Sequence, residues 1–234
     1  MAGVIGTAMI ASSVLAGQTV LPNSQPNPYA AGQSWGQLPA GRPYGNTSAV
    51  HVDARGVVWV ADKCAGTTCT GRTEDPILAF DASGRFLRSF GSGLFVFPHG
   101  IHVDGDGSVW VTDGQGAEGK GHQVFKFSPE GKVLLTLGTA GVAGAGPTTF
   151  NQPSDVVVAA NGDIFVADGH GGASNARIVK FSKDGRFVKA WGQKGTGRGE
   201  FECRMRWRST PRAGCSSGIA GTAASRSSIR RAPS

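Results

Sequence analysis

Five histidines and one close pair of cysteines are the residues of this chain best suited to form a chemical site. His51 and His102 occupy equivalent places in two similar segments, AVHVD and GIHVD, so we expect structural roles for both. His99, in FPHG, could bind a metal, although a lone histidine more often forms a hydrogen bond at a strand end. His122 starts a strand after a glycine-rich loop and is expected to be solvated.

The cysteine pair lies in the loop segment KCAGTTCTG, at Cys64 and Cys69. In an exported protein the two thiols could close a small disulfide, and two free loop thiols are the alternative. A zinc knuckle would need two more ligands close by, and the sequence has none there.

A unit of about fifty residues positions these side chains, and it occurs three times. The copies read GVVWVAD with ILAFDASGRFLRSFG, GSVWVTD with QVFKFSPEGKVLLTLG, and GDIFVAD with RIVKFSKDGRFVKAWG. Three kinds of residue recur at equivalent positions: a glycine (Gly56, Gly107, Gly162), an aromatic (Trp59, Trp110, Phe165) and an aspartate (Asp62, Asp113, Asp168). A repeat of this length made of short strands indicates a propeller or a related array.

Each copy contains four short apolar runs separated by glycine-containing turns, which predicts four antiparallel strands, or one propeller blade. The fold class is therefore all-β, with about three blades present. We expect the recurring aromatic to pack between blades and the recurring aspartate to cap a strand end. Loops at one mouth of a propeller are the usual place for a site.

The charge distribution argues against nucleic-acid binding by the fold. The net charge of the 234 residues is +7, but seven arginines and no acidic residues lie from Cys203 onward, which leaves the body neutral. Phosphate contact needs a basic face. No apolar run is long enough to span a bilayer, so no integral membrane span is expected.

The two ends differ from the repeats. Residues 1–16 are small and apolar and end in a Val-Leu-Ala step, as in a secretory signal without its basic start, which predicts an extracytoplasmic (secreted or periplasmic) protein. Residues 17–44 are an irregular lead-in rich in Pro, Gly, Asn and Ser. The repeats cover 45–201, and the Arg/Ser-rich tail, 202–234, lacks their pattern and is expected to be disordered.

The pattern F-x-x-P, Gly turn, V-W-V-x-D and R-I/V-x-K-F resembles the NHL repeat. LFVFPHGIHVDGDGSVWVTD and FNQPSDVVVAANGDIFVADGHGG are similar to the peptidyl-α-hydroxyglycine α-amidating lyase domain and its bacterial relatives. That resemblance implies a six-bladed propeller that cleaves a C–N bond with zinc held by three histidines, a calcium on the axis, a catalytic tyrosine and arginines.

Matched position by position, the resemblance implies that His99 is a zinc ligand and that Val50 and Ile101 offer main-chain carbonyls to calcium. The catalytic tyrosine of the family is replaced by His170 and one arginine by Lys63. The other two zinc histidines belong to blades beyond residue 201, and this sequence has none there.

The tail is the feature least like that family. The residues from Cys203 onward can be back-translated with plausible GC-rich codons. Deleting two bases near codon 202 of that DNA then gives the reading PHALAFD, followed by a further blade-like segment. We therefore predict a frameshift near residue 202. An arginine-rich arm for nucleic acid or membranes is the rival interpretation.

Two functions follow. The first is an exported, metal-dependent amidating lyase, inactive as this chain because one histidine cannot hold the metal. The second is an NHL propeller that binds a peptide or small-molecule ligand at its mouth without chemistry.

Overall fold

The computed structural model describes residues 35–201, together with the backbone of two later strands, Met205–Ser209 and Cys215–Ile219. All regular structure in these ranges is β, as predicted. The predicted signal peptide 1–16, the lead-in before residue 35 and the remainder of the tail lie outside the described residues. Within the described ranges, no helix has the length and apolar character needed to cross a membrane.

Three four-stranded antiparallel sheets form three blades, each with its strands in chain order. Blade 1 contains β1 (Thr47–Val52), β2 (Val58–Asp62), β3 (Ile77–Phe80) and β4 (Phe86–Phe90). Blade 2 contains β5 (Pro98–Val103), β6 (Val109–Ala117), β7 (Lys120–Phe127) and β8 (Val133–Leu137). Blade 3 contains β9 (Pro153–Val158), β10 (Ile164–Asp168), β11 (Arg177–Phe181) and β12 (Phe187–Trp191). The short strands β13 (Gln193–Lys194) and β14 (Glu200–Phe201) pair in parallel after blade 3.

The first turn of each blade is built by the recurring glycine. Gly56, Gly107 and Gly162 all have φ between +81° and +86°, a conformation that residues with a side chain rarely adopt. In blade 1, Asp53 Oδ1 accepts the backbone N–H groups of Arg55 and Val57 across this turn. The turn thus places the second strand antiparallel to the first.

The blades pack face to face through the predicted aromatic positions. Trp59 and Trp110 are each only 1% exposed. Trp59 shares a core cluster with Val103 and Phe127 of blade 2, and Trp110 packs in the cluster that includes Ile164 of blade 3. Each indole N–H also donates to an aspartate of its own blade, Trp110 to Asp104 over 2.9 Å. The prediction that the recurring aromatic packs between blades is confirmed for Trp59 and Trp110, whereas Phe165 is partly buried and packs within blade 3 and against Phe201.

The innermost strands β1, β5 and β9 lie side by side. Ile101 and Val103 of β5 are 6% and 7% exposed because they pack against blade 1. Their equivalents in β1, Val50 and Val52, are 57% and 59% exposed. Burial at these positions therefore requires a preceding blade.

Two segments of the tail are described at the level of the backbone. β15 (Met205–Ser209) and β16 (Cys215–Ile219) pair as antiparallel strands. β15 lies beside β9 and β10, just as β5 lies beside β1 and β2. These strands therefore stand where the first two strands of a following blade would stand.

Candidate functional site at one mouth of the blades

The site lies at the edge where the first strand of each blade begins and the second strand ends. The two strands are antiparallel, so these points meet at the same edge. Lys63 directly follows β2, His99 is the second residue of β5, and His170 lies two residues beyond β10. Strand direction alone therefore brings residues from three blades to one mouth.

The recurring aspartate fixes the connections at this edge. Asp62 accepts the backbone N–H of Gly45 over 2.7 Å, Asp113 that of Val96 over 2.9 Å, and Asp168 that of Asn151 over 2.8 Å. All three carboxylates are fully buried. The predicted strand-end cap is confirmed, and each cap holds the segment that leads into an inner strand.

Four side chains meet at the mouth, and we call Lys63, Phe97, His99 and His170 the mouth cluster. The Lys63 ammonium lies 3.6 Å from the centre of the Phe97 ring. The His99 ring is 6.0 Å from Phe97 at an interplanar angle of 17°, and the His170 ring is 6.4 Å from it. The centres of the two imidazoles are 4.6 Å apart in an edge-to-face arrangement. A cation and two imidazoles thus surround one aromatic ring.

The tautomer of His99 follows from its hydrogen bond. Nδ1 lies 2.7 Å from the carbonyl oxygen of Ser154 on blade 3. A carbonyl can only accept, so Nδ1 carries a proton, and Nε2 is the nitrogen that holds the lone pair whenever the ring is neutral. Such an orienting bond is typical of histidines that bind metal through the other nitrogen.

The loop of His170 is fixed at its backbone. The N–H groups of His170 and Gly171 both donate to Ser174 Oγ, over 3.0 Å and 2.9 Å. Farther along, Asn175 donates to the buried carboxylate of Asp168. These bonds position the His170 ring beside His99.

Burial shifts the pKa of two groups near the cluster. Desolvation lowers the pKa of Lys63, because partial burial disfavours the charged form of its amine. Burial raises the pKa of Asp113 to about 7, against the opposing effect of the N–H groups of Val96 and Phe97. Its equivalents differ in having an arginine partner: Arg42 lies 3.1 Å from Asp62, and Arg177 lies 2.8 Å from Asp168.

The described residues do not complete a zinc site. In the part of the chain that the structure describes, no three His, Cys, Asp or Glu side chains group closely enough to hold a metal ion. Catalytic zinc takes three protein ligands, and this mouth brings together two imidazoles. His99 fits the role of one ligand, but the donor set as a whole does not fit zinc.

The axial carbonyl positions are adjacent but likewise insufficient. Ser48 Oγ donates to the Pro98 carbonyl over 2.7 Å, and the rings of His51 and His102 lie 5.1 Å apart. Val50 and Ile101 fall between these contacts on neighbouring strands. Calcium takes six to eight oxygen ligands, of which two carbonyls would supply only a part.

Two predictions about neighbouring residues are now decided. Cys64 and Cys69 are joined in a disulfide, so of the two alternatives the bridge is present. The expectation that His122 is solvated was wrong: it is 9% exposed, and its Nδ1 accepts the N–H of Gln152. The long hairpin of β6 and β7 covers this ring, with Gly116 packed against it.

Phe97, at the centre of the cluster, was not predicted from the sequence. It occupies a variable position of F-x-x-P, and blade 3 has Gln152 at the equivalent place. The one sequence feature that could have drawn attention to Phe97 is that blade 2 has an aromatic residue where blade 3 has an amide.

Comparison with known proteins agrees with the repeat pattern. The family model described as NHL repeat matches residues 150–181. Peptidyl-alpha-hydroxyglycine alpha-amidating lyase 1 of Drosophila melanogaster is 44% identical over 124 residues, covering 51% of this chain and 21% of that protein. Peptidylglycine alpha-amidating monooxygenase of Rattus norvegicus is 43% identical over 128 residues, covering 53% and 12%. NHL repeat-containing protein 3 of Mus musculus is 36% identical over 163 residues, covering 67% and 44%. The chain thus spans less than half the length of each of these curated relatives.

Among solved structures, a streptogramin B lyase is 18% identical, with a TM-score of 0.45 over 64% of this chain and 42% of that one. Virginiamycin B lyase from Staphylococcus aureus is 16% identical, with a TM-score of 0.44 over 77% and 56%. At this level neither similarity bears on activity. The chain carries an NHL repeat within an all-β array of propeller-type blades, and its relatives in sequence are amidating lyases and NHL repeat proteins.

Proposed function

We propose that this chain is an exported NHL propeller of the amidating-lyase type, whose mouth receives a peptide ending in α-hydroxyglycine. The observation that carries the proposal is the convergence of Lys63, His99 and His170, from three different blades, around Phe97. The sequence similarity to amidating lyases supports the same assignment. The apolar start of the chain and the Cys64–Cys69 disulfide support export, since disulfides persist in oxidising compartments.

The chemistry of such a ligand matches the mouth cluster. Cleaving the bond between the amide nitrogen and the hydroxyl-bearing carbon gives a peptide amide and glyoxylate. The hydroxyl loses a proton as its carbon becomes an aldehyde, and the departing nitrogen gains one. In this arrangement Lys63 pairs with the terminal carboxylate, and the imidazole of His170 is the group placed to accept the hydroxyl proton.

Bound zinc and calcium are proposed only for a protein that supplies more metal ligands than the described residues do. His99 would provide one zinc ligand, and Val50 and Ile101 would offer carbonyl oxygens to calcium. Because no three His, Cys, Asp or Glu side chains of the described residues group closely enough to hold a metal ion, we assign no step to a metal. We therefore expect this chain to bind the hydroxyglycine peptide without cleaving it.

The second candidate is a propeller that binds a peptide or small-molecule ligand and has no catalytic form. Two substitutions favour it: His170 stands where the resembled lyases carry tyrosine, and Lys63 stands where they carry arginine. Lysine keeps the charge but lacks the bidentate fork that holds a carboxylate in one orientation.

The test is a titration with three short N-acetylated peptides that differ only at the end: α-hydroxyglycine, glycine and carboxamide. Calorimetry measures binding, and an aldehyde assay measures glyoxylate. We expect the two carboxylate peptides to bind, with the hydroxylated one tighter, and glyoxylate to stay at the background rate.

Lys63→Met is the matched variant, since it keeps the stem over Phe97 and removes the charge. It should weaken binding of both carboxylate peptides by about tenfold or more, as expected for a lost charged contact. Absence of binding would overturn the proposal. Equal binding of all three peptides would leave only the ligand-binding candidate, and glyoxylate formed above background would refute the expected lack of turnover.

A further inference from the structure

The turn that carries Lys63 is held in an unusual backbone conformation. Cys64 and Ala65 follow Lys63 directly, with φ of 51° and 56°. This left-handed region is unfavourable for residues with a side chain and persists only where the surroundings enforce it. The Gly66 N–H closes the turn onto the Lys63 carbonyl over 2.9 Å.

The disulfide joins this turn to the segment that carries Phe97. Cys64 is bonded to Cys69, and the Cys69 N–H donates to the Val96 carbonyl over 2.8 Å. Val96 immediately precedes Phe97, whose ring lies beneath the Lys63 ammonium. Both cysteines are buried, at 1% and 6% exposure, in the core shared by blades 1 and 2. One covalent link therefore connects the cation of the mouth cluster with its central ring.

Other bonds hold the turn only from the blade 1 side. The Lys63 N–H donates to the Asn46 carbonyl over 3.2 Å, the Asn46 N–H donates to the Gly66 carbonyl over 2.8 Å, and the Ala65 N–H donates to Asp62 Oδ1 over 3.0 Å. None of these bonds reaches blade 2. Without the disulfide, residues 64 and 65 could return to a right-handed conformation at the cost of the Ala65 and Gly66 bonds, while the bond from Lys63 to Asn46 kept the strand end in place. The path of the chain after Lys63 would then change.

We propose that the Cys64–Cys69 disulfide is a positioning device that places the Lys63 ammonium over Phe97, so that the mouth cluster depends on the oxidation of this pair. Its reduction, by two electrons and two protons from a thiol reductant, gives two thiols and releases the turn. Lys63 then leaves the ring, and the mouth loses its fixed cation. This role of the disulfide belongs to the ligand-free protein and does not depend on whether hydroxyglycine peptides bind.

Proton NMR of the full chain tests the proposal without any ligand. The ε-methylene of Lys63 carries the ammonium that lies 3.6 Å from the centre of the Phe97 ring, so its protons should be shifted upfield by the ring current. Phe97→Leu identifies this contribution, because it removes the ring and leaves the disulfide. The matched internal reference is Lys126, whose ammonium lies 5.2 Å from the Trp110 ring centre and which has no link to the disulfide.

In Cys64→Ser/Cys69→Ser we expect the Lys63 signal to lose its upfield shift, as in Phe97→Leu, while the Lys126 signal stays in place. A merely stabilising disulfide predicts a lower Tm with the Lys63 signal unchanged, and that result would overturn the proposal. If the double variant does not fold, titration of the unaltered chain with a phosphine reductant follows both signals together. Lys63 must then move before Lys126; simultaneous loss of both signals would count against the positioning role.

Discussion

Replacing Asp113 with asparagine should change how the stability of this protein depends on pH. Asp113 is fully buried, accepts the N–H groups of Val96 and Phe97, and forms no ion pair in the described part of the chain. Burial raises its pKa from 3.8 to about 7. The folded state therefore binds a proton more tightly than the unfolded state does, and the contribution of Asp113 is lost as pH rises towards 7.

The size of the effect follows from the shift in pKa. A difference of one unit in pKa corresponds to about 1.4 kcal/mol. Raising the pKa of Asp113 from 3.8 to about 7 therefore changes its contribution to the free energy of unfolding by roughly 4 kcal/mol between these two pH values. Between about pH 5 and about pH 8, a range that can be measured under mild conditions, we expect the contribution of Asp113 to the free energy of unfolding to fall by roughly 2 to 3 kcal/mol.

Urea unfolding, followed by tryptophan fluorescence at several pH values, measures the effect. The quantity of interest is the free energy of unfolding of the unaltered chain minus that of Asp113→Asn, because the other titrating groups cancel in this difference. It should fall as pH rises and level off above pH 7, since asparagine does not titrate.

The matched control is Asp81→Asn, at a turn aspartate whose pKa is about 2 because Ser83 and Arg85 donate to it. The free energy of unfolding of the unaltered chain minus that of Asp81→Asn should not change with pH over the same range. A flat difference for Asp113→Asn, or one that rises with pH, would refute the reasoning, because the N–H groups of Val96 and Phe97 would then outweigh burial.

Three further substitutions test other parts of the fold by urea unfolding. Arg177→Ala should cost about 3 to 5 kcal/mol, because it leaves the buried Asp168 carboxylate without its ion-pair partner; a cost below about 1 kcal/mol would contradict this. Trp110→Phe should cost about 2 kcal/mol or more through a lost indole hydrogen bond and a cavity between blades 2 and 3, whereas an unchanged midpoint would show that the ring is not enclosed. Cys64→Ser/Cys69→Ser should cost about 2 kcal/mol by loop-closure entropy, and equal stability would mean that the bridge does not constrain the unfolded chain.

The blades were predictable because their determinants are local and repeated. A glycine with positive φ, an aromatic and an aspartate recur at fixed spacing, and the glycine and the aspartate each have one structural role in every copy. Strand direction then places Lys63, His99 and His170 at one edge without any knowledge of the packing.

The contacts within the mouth cluster were not predictable, because they depend on side chains that cross between blades. Phe97 occupies a variable position of the repeat, and its contact with Lys63 arises from the packing of blade 1 against blade 2. The tautomer of His99 depends on a carbonyl 55 residues away, at Ser154.

His122 shows why a position at the start of a strand is a weak guide to exposure. A strand that begins after a glycine-rich loop is usually accessible at that end. Here β6 and β7 extend as a hairpin beyond the blade, and the ring is enclosed against Gly116. The length of a hairpin is set by pairing between its strands, which the sequence of one strand does not show.

The measurement closest to the central claim is a nuclear Overhauser experiment on the full chain with histidines labelled with carbon-13. We expect a direct cross-peak between ring protons of His99 and His170, whose ring centres are 4.6 Å apart although they belong to different blades. His170→Ala should abolish that cross-peak and leave the other His99 signals in place. If the two rings give separate, well-resolved signals with no cross-peak between them, the residues of blades 2 and 3 do not form a common site.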